Sequence, residues 1–583
     1  MTAVRRLITI TTLAALTATA ALAQQTPAQQ QTTTTTSRNT STVTAETDRD
    51  VNDPRAIRLT LTDAIGTAMQ QNLGVQIQGF ESRISEQNLR GQYGIFDFYT
   101  DAFIRHNFER SPTTNPFQTT GGRSTSFGGG VTQTLPTGGQ YRVAANTSRS
   151  TVSGANTFVN PQYGNNLDFE FSQPLMRDFG IDITRRGITI ARNNLGITEE
   201  QFRTALMDTA SAVEQAYLDL IYARRAVDVV KESLFLARDQ ARITQIRIDV
   251  GASAPLDILQ PRVTISTTEE QLIRAVASVR NAEDRLRALL NMPVTEWDRP
   301  IVPADTVEYT PMTIDFATAV ERAIANRPEI RQQNLLIENA RVQALYTRNQ
   351  TLPLVDLAVN YGLSALAGRR AQLNDEGEVI GSTSTPYFDT FEQIAGLDFP
   401  TWNVGFNFAY PLMNITARAN ARAAELDVEQ SQSVQLQTRQ NIAVDVRTTA
   451  RSVDEFAQSI AATRAAREAA ERNVEAERKR YENGMTTNFQ VLEVQQQLSD
   501  ARVRELQATI GYNKAVAAFH RAVGDILEVH NIRLDAPERE PEPALGRWLD
   551  RYNWLFYGNR VEGNRVDDNR AGETRPEGTT EQN

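Results

Sequence analysis

The groups able to attack an electrophile, hold a metal or shuttle a proton are few and scattered in this chain. Its 583 residues include no cysteine and three histidines, His106, His520 and His530. Thiolate nucleophiles, disulfide frameworks and thiolate metal sites are excluded, and no histidine cluster offers a metal site or a catalytic base. Gly128-Gly-Gly130 lacks the lysine that a phosphate-cradling loop requires and reads as a strand or loop feature. No catalytic residue, metal or cofactor is expected, and the chain reads as a non-enzyme. With 60 basic against 70 acidic residues and a net charge of −10, it is also a poor nucleic-acid partner.

One pattern does recur with fixed spacing. Arg247-Ile-Asp-Val-Gly251 followed by Asp257-Ile-Leu259 parallels Arg480-Tyr-Glu-Asn-Gly484 followed by Gln490-Val-Leu492. Gly251 and Gly484 suit the position just past a helix, where glycine takes a positive φ without steric penalty. Ser253, Thr487 and Asn488 are of the types that cap a following helix. Arg247 and Arg480 each stand one turn before the glycine. A shared docking or packing role accounts for that, and so does compensation of the helix dipole.

These turns belong to a larger repeat. Leu59-Thr-Leu-Thr-Asp-Ala-Ile65 parallels Ile314-Asp-Phe-Ala-Thr-Ala-Val320, and Phe169-Glu-Phe171-Ser-Gln-Pro174-Leu175-Met176 parallels Phe406-Asn-Phe408-Ala-Tyr-Pro411-Leu412-Met413. Three collinear matches define a tandem duplication, residues 56–300 and 301–531, with helical tips near 251–254 and 484–487. Residues 1–23 read as a secretory signal, with Arg5 and Arg6 before an apolar stretch and Ala21-Leu22-Ala23 as the cleavage site. Residues 24–55 are a Gln/Thr-rich linker expected to be disordered, and 532–583 a polar tail holding Trp548, Trp554, Phe556 and Tyr557.

Each copy mixes two periodicities. Trp402, Val404, Phe406 and Phe408 alternate with Asn403, Gly405 and Asn407; Val355, Leu357, Val359 and Tyr361 alternate with Asp356, Ala358 and Asn360; Leu167, Phe169 and Phe171 alternate with Asp168 and Glu170. Such dyads fit transmembrane β-strands and equally fit a half-buried antiparallel sheet. Segment 96–108 is a weaker strand, and 127–147 reads as a further hairpin about Pro136-Thr-Gly-Gly139. The helices carry heptads instead. Leu206, Val213, Leu220, Val227 and Leu234 recur every seven residues, with Thr209, Ala216, Ala223, Val230 and Ala237 as a mostly small companion series. Long helices are expected over 187–250 and 416–483, with shorter partners over 255–291 and 488–530 and leading helices over 57–92 and 313–350. At 1.5 Å per residue the long ones reach about 100 Å.

Four clear strands cannot close a barrel, and an open sheet edge in lipid leaves backbone groups unpaired. Several copies must contribute, in a ring of head-to-tail contacts. Three copies would give twelve strands around a lumen, with aromatics toward lipid and Asp168, Glu170, Asp356 and Asn403 toward water.

The duplicated tip motif, together with SQPLMR (172–177) and AYPLMN (409–414), makes residues 57–530 resemble the TolC-type outer membrane efflux proteins. The resemblance implies a mixed α and β fold forming a homotrimer. Its twelve-stranded outer-membrane β-barrel would continue as a periplasmic α-helical barrel. It further implies a passive exit duct for efflux or type I secretion in a Gram-negative type envelope. The partners would be outer-membrane lipid, a periplasmic adaptor (a membrane fusion protein) and an inner-membrane pump of RND, ABC or MFS type. By position, Asp257 and Tyr481 match a restraining pair of the closed entrance, Glu493 matches one acidic ring, and Gln490 stands uncharged where another would be. Thr486 replaces a basic gate residue. Arg247, Gly251, Arg480 and Gly484 fall on the adaptor-facing tips. The alternative is a periplasmic coiled-coil scaffold or adaptor without a pore, a class that lacks duplicated aromatic strands.

Overall fold

The computed structural model describes residues 53–110, 112, 120–153, 158–374 and 379–532. The expected signal peptide, most of the linker and all but the first residue of the tail lie outside the described residues.

The first copy opens with β1 (Ile57–Leu59), α1 (Leu61–Gln71) and α2 (Leu73–Gln92). Four strands follow: β2 (Tyr99–Arg110), β3 (Gly121–Thr134), β4 (Gln140–Ser153) and β5 (Val159–Pro174). After the short α3 (Ile181–Thr184), the 64-residue α4 (Arg186–Asp249) runs to the first tip, and α5 (Leu259–Leu289) returns. The second copy repeats the order with β6 (Ile301–Pro303), α6 (Phe316–Asn326), α7 (Pro328–Asn349), β7 (Leu354–Leu373), β8 (Val379–Thr385), α8 (Asp389–Ala395) and β9 (Pro400–Ala409). The 68-residue α9 (Ile415–Glu482) reaches the second tip, followed by α10 (Asn488–Val523) and α11 (Ile526–Val529).

The leading helices are broken where one was expected. Thr60 caps α1 and Asn72 caps α2, its side chain accepting from the Gly74 and Val75 amides, so the chain kinks at Asn72. In the second copy Asp315 caps α6, and Pro328 at the first position of α7 forces the break. The copies are stitched at this level by β1 and β6, which pair in parallel. Tyr217 of α4 is buried beneath them, its hydroxyl 2.9 Å from both the Leu59 carbonyl and Asp305 Oδ2. Burial first, and the Asp305 hydrogen bond second, push that phenol well above its ordinary range.

The heptad series does what its spacing dictates. Leu206, Val213, Leu220, Val227 and Leu234 are all buried, packed with Leu272, Val279 and Leu286 of α5 in one core. Each such side chain contributes roughly 1.5–3 kcal/mol. In α9 the series Val446, Val453 and Ile460 is buried too; Arg467 interrupts it by pairing with Glu471 and Glu505, and Tyr481, two heptads on, is buried again.

The sheet runs β2-β3-β4-β5-β7, and β7 holds β8 along its far half and β9 along its helix-side half. β8 and β9 are thus one returning strand interrupted by α8. The sheet has six lateral positions. The expected tally of four clear strands per chain is corrected here: β3 and β4, foreshadowed by the hairpin read over 127–147, are full members of the ladder within this chain. Four strands join helices directly (α2 to β2, β5 through α3 to α4, α7 to β7, β9 to α9). Only β3 and β4 are joined to each other at that end, by a tight turn in which Leu135 donates to Gly139.

Candidate functional site

Cross-strand register sorts the sheet into two chemically distinct faces. One row runs Val131, Val143, Phe169, Tyr361 and Trp402 across five strands, and the adjacent outer row holds Tyr141, Phe171, Val359 and Val404. The alternate row is Thr132, Arg142, Glu170, Asn360 and Asn403. On that polar face Arg142 of β4 reaches over β3 to Asp101 of β2 at 2.7 Å. Gly130 leaves the room: a Cβ there would meet the guanidinium at 2.8 Å. Trp402 is 75% exposed and Ile104 79%, so the apolar face is uncovered by the chain itself over most of its extent. At the far end α8 covers part of it, with Asn165 donating to Thr390 at 2.7 Å. Among the described residues, the outer edges of β2 and of β8 and β9 have no partner strand. An uncovered apolar face with polar groups behind it is the arrangement by which a β-sheet meets lipid on one side and water on the other.

The helical end has an uncovered face of its own. α4 is packed on both sides, by α2 and by α7, whereas α9 meets α7 but, among the described residues, has no counterpart of α2 on its other side. Leu335 of α7 sits so close to α4 that a Cβ on Gly196 would lie 2.9 Å from it. The repeat counterpart of Leu335 is Phe80 on α2, and Phe80 is 58% exposed, in a stripe with Leu73, Ile77 and Ile84. On α9, Leu426, Leu436 and Val444 are likewise exposed.

At the tips the residues singled out by spacing take unequal roles. Gly251 and Gly484 have φ of 75° and 73° just past the helix ends, and Ala252 and Met485 close each turn by donating to the Arg247 and Arg480 carbonyls. The suggested caps are not made by Ser253 or Thr487. Thr487 stands at the N-cap of α10 without a side-chain bond, and Asp257 fills the role at the first tip by accepting from the Ala254 amide at 3.1 Å. Arg247 lies with its guanidinium 4.7 Å over the Tyr481 ring and donates to the Tyr481 carbonyl at 2.7 Å. Arg480, its repeat counterpart, is exposed and pairs with Glu477 of its own helix at 3.3 Å.

Behind Arg247 lies a polar latch that joins the two hairpins. Tyr481 and Thr244 are buried with their hydroxyls 3.4 Å apart, and Asn488 Oδ1 accepts from Gln240 at 2.7 Å and from Thr244 at 3.3 Å. Asn488 also donates to the Asp257 carbonyl at 3.5 Å, which brings Asp257 to the edge of the latch. No described hydrogen bond joins Asp257 to Tyr481; the tyrosine's partners are Arg247 and Thr244. Glu493 and Gln490 are exposed on α10, and Glu493 accepts from Gln497 at 3.2 Å. Sequence reading missed Gln240, Thr244 and the inward turn of Asn488. A signal was present: the small companion series of α4 continues seven residues past Ala237 to Thr244, a hydroxyl at a seam position.

Among the described residues, no group of His, Asp or Glu is arranged to hold a metal, and no helix is long and apolar enough to cross a membrane.

Fold and surfaces together define an outer-membrane protein whose sheet meets lipid and whose helices extend from it into the periplasm. The family model described as Outer membrane efflux protein matches residues 140–292 and 319–525, and the chain belongs to that family. It is similar to the outer membrane efflux protein BepC of Brucella suis, 25% identical over 186 residues, covering 32% of this chain and 40% of BepC. It is also similar to the pyoverdine export outer membrane protein OpmQ of Pseudomonas aeruginosa, 22% identical over 335 residues, covering 56% and 65% of the two chains. The match thus spans less than two thirds of either curated relative. The Campylobacter jejuni CmeC outer membrane channel shares the fold at a TM-score of 0.57 and 16% identity, over 82% of this chain and 87% of that one.

Proposed function

We propose that three copies of this chain close head to tail into one outer-membrane exit duct, a β-barrel continued by a tube of helices. Substrates reach it from an inner-membrane pump of RND, ABC or MFS type through a periplasmic adaptor. The duct itself is passive: no cofactor or catalytic group is required of it. The observation that carries this reading is the pairing of uncovered faces. Among its described residues each chain offers two unpaired sheet edges and, on α2 and α9, two exposed apolar helix faces whose repeat counterparts are covered within the chain. A heterologous contact that repeats the internal one across chains satisfies all of them and closes a ring. The outer aromatic face weighs against a pore-free scaffold, which has no lipid to meet.

At the entrance, the latch of Arg247, Tyr481, Thr244, Gln240 and Asn488 holds the two hairpins of one chain together. The tips carrying Gly251, Gly484 and the exposed Arg480 present the surface for an adaptor. Glu493 lines the axis, where three like charges attract cations, and Gln490 adds a polar uncharged ring. Asp257 braces the latch through its backbone carbonyl while its carboxylate caps the turn at Ala254.

The test is the native mass and bilayer conductance of detergent-extracted protein. Trimers that open a conducting path support the duct; material that is monodisperse as single chains, or never conducts, overturns it.

A further inference from the structure

We propose that the barrel wall has eighteen strands, six from each of three copies, so that it is wider than the helical tube beneath it. This rests on the trimeric duct proposed above and concerns how many strands each copy contributes.

The sheet's ladder is continuous across six positions from β2 to β9, without a gap in register at the helix-side end. The hairpin of β3 and β4 obeys the same two-faced rule as its neighbours. Phe127 and Val131 share the apolar face with Phe169, while Arg142 shares the polar face with Glu170. Both strands have 14 residues, beyond the roughly 9–11 that a tilted strand needs to span lipid. The pair from Asp101 to Arg142 ties β2, β3 and β4 on the lumen side, and the glycine lane at 128–130 admits it.

A twelve-stranded wall would require two strands of each copy to leave the barrel. The ladder order allows this only if β2 and β3 peel away together and β4 becomes the edge. That breaks the Asp101–Arg142 pair, takes Ile104 and Phe127 off the lipid-facing wall, and abandons the direct join of α2 to β2. Barrel diameter grows roughly linearly with strand number, so eighteen strands widen the wall about 1.5-fold over twelve. The added strands are the two without a helix beneath them, so the tube keeps four helical strands per chain while the barrel flares above it.

The absence of cysteine makes the strand count accessible to disulfide mapping, because no native thiol competes. Asn403→Cys on β9 is combined with a second cysteine on β2, at Arg105, Asn107 or Glu109 in turn. A parallel set combines it with Ala144→Cys or Asn146→Cys on β4. All these positions lie on the polar face, and the oxidised protein is resolved on non-reducing gels. The expected result is conversion of single chains to covalent dimers and trimers for at least one β2 position, with no conversion for β4. Conversion for β4 and none for β2, in protein that is still trimeric, overturns the eighteen-strand wall and leaves the duct intact. Single chains throughout, by cross-linking and by native mass, overturn the duct and this proposal with it. Particle images of the unmodified protein give a direct strand count should the variants fail to assemble; twelve strands there refute the proposal.

Discussion

The two long helices hold equivalent places in the element order but have very different surroundings. α4 is flanked on both sides and its buried residues begin at Ile188, near its start. In α9 the first buried residue is Ile442, so its first 27 residues hold none. The same unit therefore makes an internal interface once and leaves the equivalent interface open once. The tips show the same asymmetry: Arg247 is stacked on Tyr481, while Arg480 meets only its own helix. In the proposed ring, the repeat within one chain builds half of the contacts, and another copy supplies the other half.

That contrast can be broken in several ways. The largest effect is expected from Phe80→Asp with Ile84→Asp. Both side chains are more than half exposed in the chain, so the helices should still form, but the trimer should be lost by native mass. Trimers that persist would show that α2 is not at the chain boundary. Next, Leu220→Ala, in the doubly flanked helix, should lower stability by about 2–5 kcal/mol in denaturant titration. Leu436→Ala on α9 should cost under about 0.5 kcal/mol in dissociated chains, and more only once assembled. Equal costs in dissociated chains would erase the distinction.

Removing the stacked arginine by Arg247→Ala should weaken the internal latch by about 1–3 kcal/mol and raise resting conductance, whereas Arg480→Ala should do so much less. A reversed order would put the gate at the other tip contact. Glu493→Gln should lower cation preference in bilayers, and an unchanged reversal potential would remove that residue from the axis. The smallest effect concerns Glu329, which pairs with Arg327 beside Asp445 of α9. Burial alone would raise its carboxyl, but the hydrogen bonds and charge of Arg327 outweigh that and hold it below its ordinary 4.5. Its contribution is complete above pH 4.5 and fades as pH falls through the depressed folded value. Relative to Glu329→Gln, the native protein should lose more stability on acidification in that window; parallel curves would mean the pair contributes nothing.

Much of this was legible in the residues. The spans expected for the long helices, 187–250 and 416–483, are occupied by Arg186–Asp249 and Ile415–Glu482, because heptads, turn glycines and the strand motifs before them are all local signals. The aromatic strands were legible for the same reason: Trp402, Phe406 and Phe408 alternate too strongly to mislead. The strand β3 was not. Gly121, Gly122, Ser124, Ser126 and Gly128 to Gly130 are small on both faces, so alternation is faint, and membership of the sheet is decided by hydrogen-bonding neighbours. The latch was missed because Gln240 and Thr244 lie some 240 residues from Tyr481 and Asn488.

By itself the sequence determined the period of every long element, the turns at the tips and the lack of any thiol chemistry. These depend on interactions within a few residues of chain, or on composition. The tertiary structure decided which hairpin lies against which, how many strands stand side by side, and which of two equivalent arginines finds an aromatic ring. Those outcomes depend on shape and hydrogen-bond satisfaction between segments far apart in the chain, where repeated sequences look alike until one copy is covered and the other is not.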